Sequence, residues 1–141
     1  MNNKFPVCGL STVALDWAVA TVEGLPIQHN PMGFSDCQQA GYWVWDDHAK
    51  KRPYQLIGYQ YHPSSNWSQA GEIIFKYGIA TRPGKSDSWI ANLGDFEHQG
   101  DSPMEAAMRC YVESRLGCIV TLPLPLIRIW QKSQLTHQAI A

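Results

Sequence analysis

The sequence predicts an α+β fold: a small antiparallel sheet of paired strands packed against about three helices. Three observations carry this expectation. Strand-forming segments come in adjacent pairs joined by turn residues, rather than alternating singly with helices. Three segments place apolar residues at helical spacing between helix start and stop residues. The chain has 141 residues, 45% of them hydrophobic, enough for a core that needs no disulfide or metal. A single domain over 1–141 is expected, with its core in 11–122.

The first helix is expected over 11–23. Leu15, Ala18, Val19 and Val22 form its stripe, Ser11 or Thr12 caps it, and Gly24 with Pro26 stops it. Residues 25–41 are rich in turn formers and are read as a long loop. Tyr42–Trp45 and Tyr54–Tyr61 are read as a hairpin, with Ile57, Tyr59 and Tyr61 on one face. The second helix starts at Asn66, with Gln69 three residues on as in a capping box, and closes at Gly78. Gly71 inside it costs roughly 1 kcal/mol against alanine, which suggests a close approach of another group.

Residues 79–82 and 88–92 are expected to pair around Pro83-Gly84, with a third short strand at 96–98. Ser102-Pro103-Met104-Glu105 is the strongest local signal: a cap, a proline at the first helical position and an acidic residue reaching back. That helix runs to Leu116 before Gly117, with Met104, Ala107, Met108, Tyr111 and Val112 on its apolar face and Glu105 paired to Arg109. Residues 119–122 suit a last strand. The tail, 126–141, is left open between a short helix and a mobile end.

Only 16% of residues are charged, and 11 Lys+Arg against 12 Asp+Glu give a net charge of -1. Such a balance argues against binding nucleic acid by phosphate neutralisation, which needs a concentrated basic face. The apolar fraction argues against a disordered chain. No apolar run approaches the ~20 residues of a membrane helix, and the first residues lack a signal-peptide stretch. A cytoplasmic setting without membrane contact is therefore expected. The cysteines at 8, 37, 110 and 118 are expected to be free thiols, mostly buried. Six Trp, six Tyr and four Phe stand out.

Three segments in order, ALDWAVATVEG (14–24), NWSQAGEIIFKYGI (66–79) and SPMEAAMRCYVESRLG (102–117), resemble the NinX-type family of small phage and prophage proteins. A lone W-x-A of that pattern falls on Trp89–Ala91. The likeness covers most of 11–122. It departs at Ala70, where a glycine is usual, and at Phe75, where an acidic residue is usual. The segment 37–63 is of variable length in the family, and the tail after Leu126 has no counterpart. The resemblance implies an accessory protein of a temperate phage in a bacterial cytoplasm and brings little chemistry with it.

Standard catalytic motifs are absent, and no cofactor is expected. Asp46-Asp47-His48, completed by His62, Glu97 or His98, is the one metal candidate, but the spacing shows no convergence and a polar loop is favoured. Lys50-Lys51-Arg52 is read as a solvated loop beside those acids. Arg115 either snorkels from the last helix or meets an anion. The best ligand candidates surround Trp67: Tyr61, His62, Asn66, Ser68 and Gly71, with Trp89 and Arg115. Together they would stack a flat ring and hold a polar group at a helix start. The competing reading, favoured for Trp67, is that these rings fill the core.

Two functions from different classes remain. The first is a non-enzymatic binding protein whose partner is a host protein or a small polar, aromatic, nucleotide-like ligand. The second is a small enzyme on such a metabolite, with His62, Glu72 or His98 as acid or base. The oligomeric state is left open.

Overall fold

The computed structural model describes residues 2–31, 40–46 and 53–140, the last five of these as backbone only. The expected α+β class is present. The described elements run β1 (Lys4–Pro6), a 3-10 turn (Val7–Gly9), α1 (Thr12–Val22), β2 (Ile27–Asn30), β3 (Gly41–Trp45), β4 (Tyr54–Leu56) and α2 (Trp67–Tyr77). They continue with β5 (Ala80–Pro83), β6 (Trp89–Leu93), β7 (Phe96–Gly100), α3 (Pro103–Leu116), β8 (Ile119–Thr121) and α4 (Leu124–Ile140). The strands form three small antiparallel sheets rather than one: β1–β8, β2–β3–β4 and β5–β6–β7.

The helix caps explain why α2 and α3 stand where the sequence puts them. Asn66 Oδ1 accepts from the Gln69 N–H at 3.1 Å, and Gly78 takes the left-handed conformation that ends α2. The Gln69 side chain does not reach back to the cap residue. Its Oε1 accepts from the His62 N–H at 2.6 Å and its Nε2 donates to the Gln60 carbonyl at 2.7 Å. Ser102 Oγ accepts from the Glu105 N–H, and Glu105 Oε1 accepts from the Asp101 N–H. Ser11 makes no side-chain cap on α1; its Oγ instead accepts from Trp130 Nε1 and Gln134 Nε2 of α4. Those contacts, with buried Leu126 and Ile127, hold the tail as a helix against α1.

Helix α3 lies at the centre. The 3.6-residue stripe expected for it is too narrow, because Ala106, Ala107, Met108, Cys110, Tyr111 and Val112 are all buried. The β5–β7 sheet covers one side of it while α1 and α2 cover another. Close packing here requires small residues. A Cβ on Gly100, at the end of β7, would stand 2.6 Å from the Ala106 nitrogen, and the Cys110 thiol donates to the Ala91 carbonyl at 3.2 Å. Arg109 ties three segments together: Nε donates to the Leu10 carbonyl, Nη1 to the Gln99 carbonyl, and Nη1 pairs with Glu105 at 3.2 Å.

Several expectations are corrected. Residues 27–30 are not loop but a strand paired with β3, with the His29 ring stacked on its register partner Tyr42 at 4.4 Å. Residues 54–61 are not one strand. A turn at 58–60 buries Ile57 and Tyr61 and leaves Tyr59 66% exposed. Cys8 and Cys118 are exposed and only Cys110 is buried; Cys37 lies outside the described residues. A Cβ on Gly71 meets nothing within 4 Å, so the close approach expected there is not made.

The two glycines therefore respond oppositely to alanine. Gly100→Ala should lower stability by about 1–3 kcal/mol, because backbone must move to admit the methyl group. Gly71→Ala should raise it by roughly 0.5–1 kcal/mol through helix propensity. Urea unfolding followed by circular dichroism measures both, and equal effects would contradict the packing described.

Candidate functional site

The residues singled out around Trp67 occupy one turn and helix start, but most serve the fold there. Asn66 is the α2 cap. His62 Nδ1 lies 2.8 Å from Ser65 Oγ, and the His62 N–H is held by Gln69. Ser68 and Trp67 are exposed, the indole at 58%, so Trp67 does not plug the core. Trp89 lies half-buried at the start of β6, opposite Pro83 and Gly100. Among the described residues no ring contact joins it to Trp67. Arg115 is exposed and lies over the Tyr77 ring, 5.1 Å from its centroid.

Tyr61 is the exception. It lines an open groove of about 320 Å³ with Glu23, Leu25, Val44, Asp46, Gln55, Gln69, Glu72 and Ile73. The end of α1 supplies Glu23, α2 supplies Gln69 and Glu72, and the β3–β4 hairpin supplies Val44 and Gln55. Three lining residues are acidic, and among the described residues no Lys or Arg lines it. Glu23 sits at the C-terminal, negative end of α1, the unfavourable end for a carboxylate. It accepts from the Tyr111 hydroxyl at 2.7 Å, and Tyr111 stacks on Tyr77 at 4.8 Å. Burial raises the Tyr61 phenol above its usual range, and the negative charges of Glu23 and Asp16 push it further.

Asp16 lies behind this groove, 1% exposed in α1. It accepts from the Ser64 N–H at 2.9 Å and so fixes the turn that follows Tyr61. Burial pushes its carboxyl up to about 7 against the hydrogen bonds from Ser64, and Glu105 adds to the rise. Sequence reading missed Asp16 and Glu23. The available signal was the position of Asp16, a carboxylate next to Leu15 in the middle of an apolar helix.

The acid–base candidates have separate hydrogen-bond partners. His98 Nε2 pairs with Glu113 Oε1 at 2.6 Å between β7 and α3, His62 pairs with Ser65, and Glu72 lines the groove. Of the metal candidates, Asp47 and His48 lie outside the described residues, as do Lys50, Lys51 and Arg52. Among the described residues no group of three His, Cys, Asp or Glu stands close enough to hold a metal ion. Nor is any described helix long and apolar enough to cross a membrane.

Fold and groove define a small α+β protein with an acidic surface cleft beside a buried carboxylate. The sequence matches the family described as Bacteriophage P22, NinX over residues 6–115, and the chain belongs to that family. Comparison with curated proteins finds no match.

The buried Asp16 carboxyl gives a pH prediction. Its folded value, about 7, lies above the ordinary 3.8, so the folded chain holds a proton that the unfolded chain releases. The group's contribution is therefore fully present below about pH 4 and is lost as pH rises towards about 7. Between about pH 5 and about pH 7 the loss should be roughly 2 kcal/mol. Asp16→Asn, which keeps an acceptor for the Ser64 N–H, should flatten that slope. Urea titrations at stepped pH measure it, and an unchanged slope would show that Asp16 is not the group responsible.

Proposed function

We propose that this member of the phage family is a non-enzymatic binding protein whose acidic groove captures a basic side chain, Lys or Arg, of a host protein. One observation carries the reading: Glu23, Asp46 and Glu72 converge from three separate segments on one open cleft. A cleft lined by carboxylates, one of them at the negative end of a helix, favours a cation and disfavours a phosphate. This charge separates the host-protein reading from the nucleotide-like ligand that the sequence left equally open. Gln55 and Gln69 add amide groups at the wall, while Leu25, Val44 and Ile73 supply apolar surface for the stem of a long side chain. Glu72 lines the groove while His62 and His98, bonded to Ser65 and Glu113, are not among its lining residues, which supports binding over acid–base catalysis.

The test compares a short lysine- and arginine-bearing peptide with ATP in thermal-shift and calorimetric titrations. The peptide should bind and raise Tm, increasingly weakly as salt is added. ATP should do neither. Glu72→Lys, at an exposed position, should weaken peptide binding by about tenfold or more while leaving Tm nearly unchanged. Binding of ATP at the groove, or peptide binding indifferent to Glu72→Lys, would refute the reading.

A further inference from the structure

The small β1–β8 sheet has a free edge whose hydrogen-bonding pattern can be read from its register. Phe5 stands opposite Val120, Lys4 opposite Thr121 and Pro6 opposite Ile119. Two bonds flank the ladder: the Val7 N–H to the Cys118 carbonyl at 2.8 Å, and the Leu122 N–H to the Asn3 carbonyl at 2.9 Å. In an antiparallel ladder, bonded pairs recur at every second residue. Phe5–Val120 is therefore the bonded pair, and Lys4–Thr121 and Pro6–Ile119 are not. Pro6, which has no N–H, fits its non-bonded position. The N–H and C=O groups of Ile119 and Thr121 accordingly point away from β1, along the outer edge. Among the described residues they have no partner there.

This edge is short, three residues, but otherwise lacks the usual protection. Cys118-Ile119-Val120-Thr121-Leu122 carries no charge and three β-branched residues, whereas exposed edges are ordinarily blunted by charge, proline or a bulge. Beside it runs an open trough of about 280 Å³, lined by Trp17 and Thr21 of α1, by Leu116 and by β8 itself. Ile119 is 50% exposed.

We propose that a second copy of this chain covers the edge, the two β8 strands pairing antiparallel about a two-fold axis through Val120. That register is self-complementary. It sets Ile119 opposite Thr121 of the second copy, and Thr121 opposite Ile119 of the second copy, each a bonded pair. All four outward groups of each strand are then satisfied, and two two-stranded sheets become one of four. Ile119 and Thr121 side chains meet across the junction as β-branched pairs. The strand shares no lining residue with the acidic groove, so the two proposals stand or fall separately.

Sedimentation velocity of the full chain over a wide concentration range tests this. The wild type should dimerise reversibly. Thr121→Pro removes only an outward N–H and leaves every β1–β8 bond in place, so it should be monomeric with an unchanged circular dichroism spectrum. Ile119→Lys places a charge on the exposed edge and should likewise be monomeric; it decides the matter if the proline variant fails to fold. Neither variant should alter binding of the basic peptide. A wild type that stays monomeric at every concentration, or an Ile119→Lys variant that dimerises as the wild type does, would overturn the proposal.

Discussion

The close approach of α3 to the β5–β7 sheet is the constraint on which the other elements depend. Gly100 and Ala106 leave no room for a methyl group between them, and the Cys110 thiol bonds directly to the Ala91 carbonyl. A helix this close to a sheet cannot also bury large side chains on that side. Its large residues, Tyr111 and Met108, are buried among the rest of the core, which continues into α1 and α2. Arg109 then locks the arrangement, because its guanidinium satisfies carbonyls from two other segments while its charge is balanced by Glu105 one turn away. A central helix wrapped in this way also explains why the strands form three short sheets.

Burial of a carboxylate in α1 follows from the same crowding. Asp16 is enclosed and has the Ser64 N–H as its hydrogen-bond donor. The bond reaches across 48 residues and positions the turn from Tyr61 to Asn66, which in turn starts α2. The groove's geometry thus rests on a residue that does not line it. From the groove an ordered chain of contacts leads outward: Glu23 to Tyr111, Tyr111 to Tyr77, and Arg115 over the Tyr77 ring. Arg115, read from the sequence as a possible anion ligand, is the cationic end of that chain.

What could be read in advance was local. The caps at Asn66 and Ser102 and the stops at Gly78 and Gly117 mark α2 and α3 because their signals lie within a few residues of each other. The hairpin of β3 and β4 and the three strands β5–β7 were legible for the same reason. Long-range pairing was not. Lys4–Pro6 becomes a strand only because Ile119–Thr121 lies beside it, and Ile27–Asn30 only because β3 does. The groove was illegible too, since Glu23, Asp46 and Glu72 are far apart in the chain and none stands in a motif. Gly71 misled because a glycine in a helix has more than one cause, and here no neighbour requires it.

Aromatic excess suggested recognition by stacking, yet many of the described rings pack on one another. Trp45 lies on Tyr54 at 4.2 Å, Trp43 meets Trp45 edge-on, Phe5 meets Trp130 edge-on, and Tyr77 stacks on Tyr111. Rings so engaged supply apolar area and stiffness to a chain that has little charge with which to organise its surface. The scarcity of charge changes the meaning of the charges that remain. On a densely charged surface, three carboxylates would be offset by nearby lysines and screened by their neighbours. Here no Lys or Arg stands among the described residues that line the cleft, and only 16% of the chain is charged. The exposed carboxylates of Glu23 and Glu72 act on groups that approach within about a Debye length, roughly 8–10 Å at ordinary salt. Selectivity at such a site arises from the sign of the approaching group first and from its fit against Leu25, Val44 and Ile73 second.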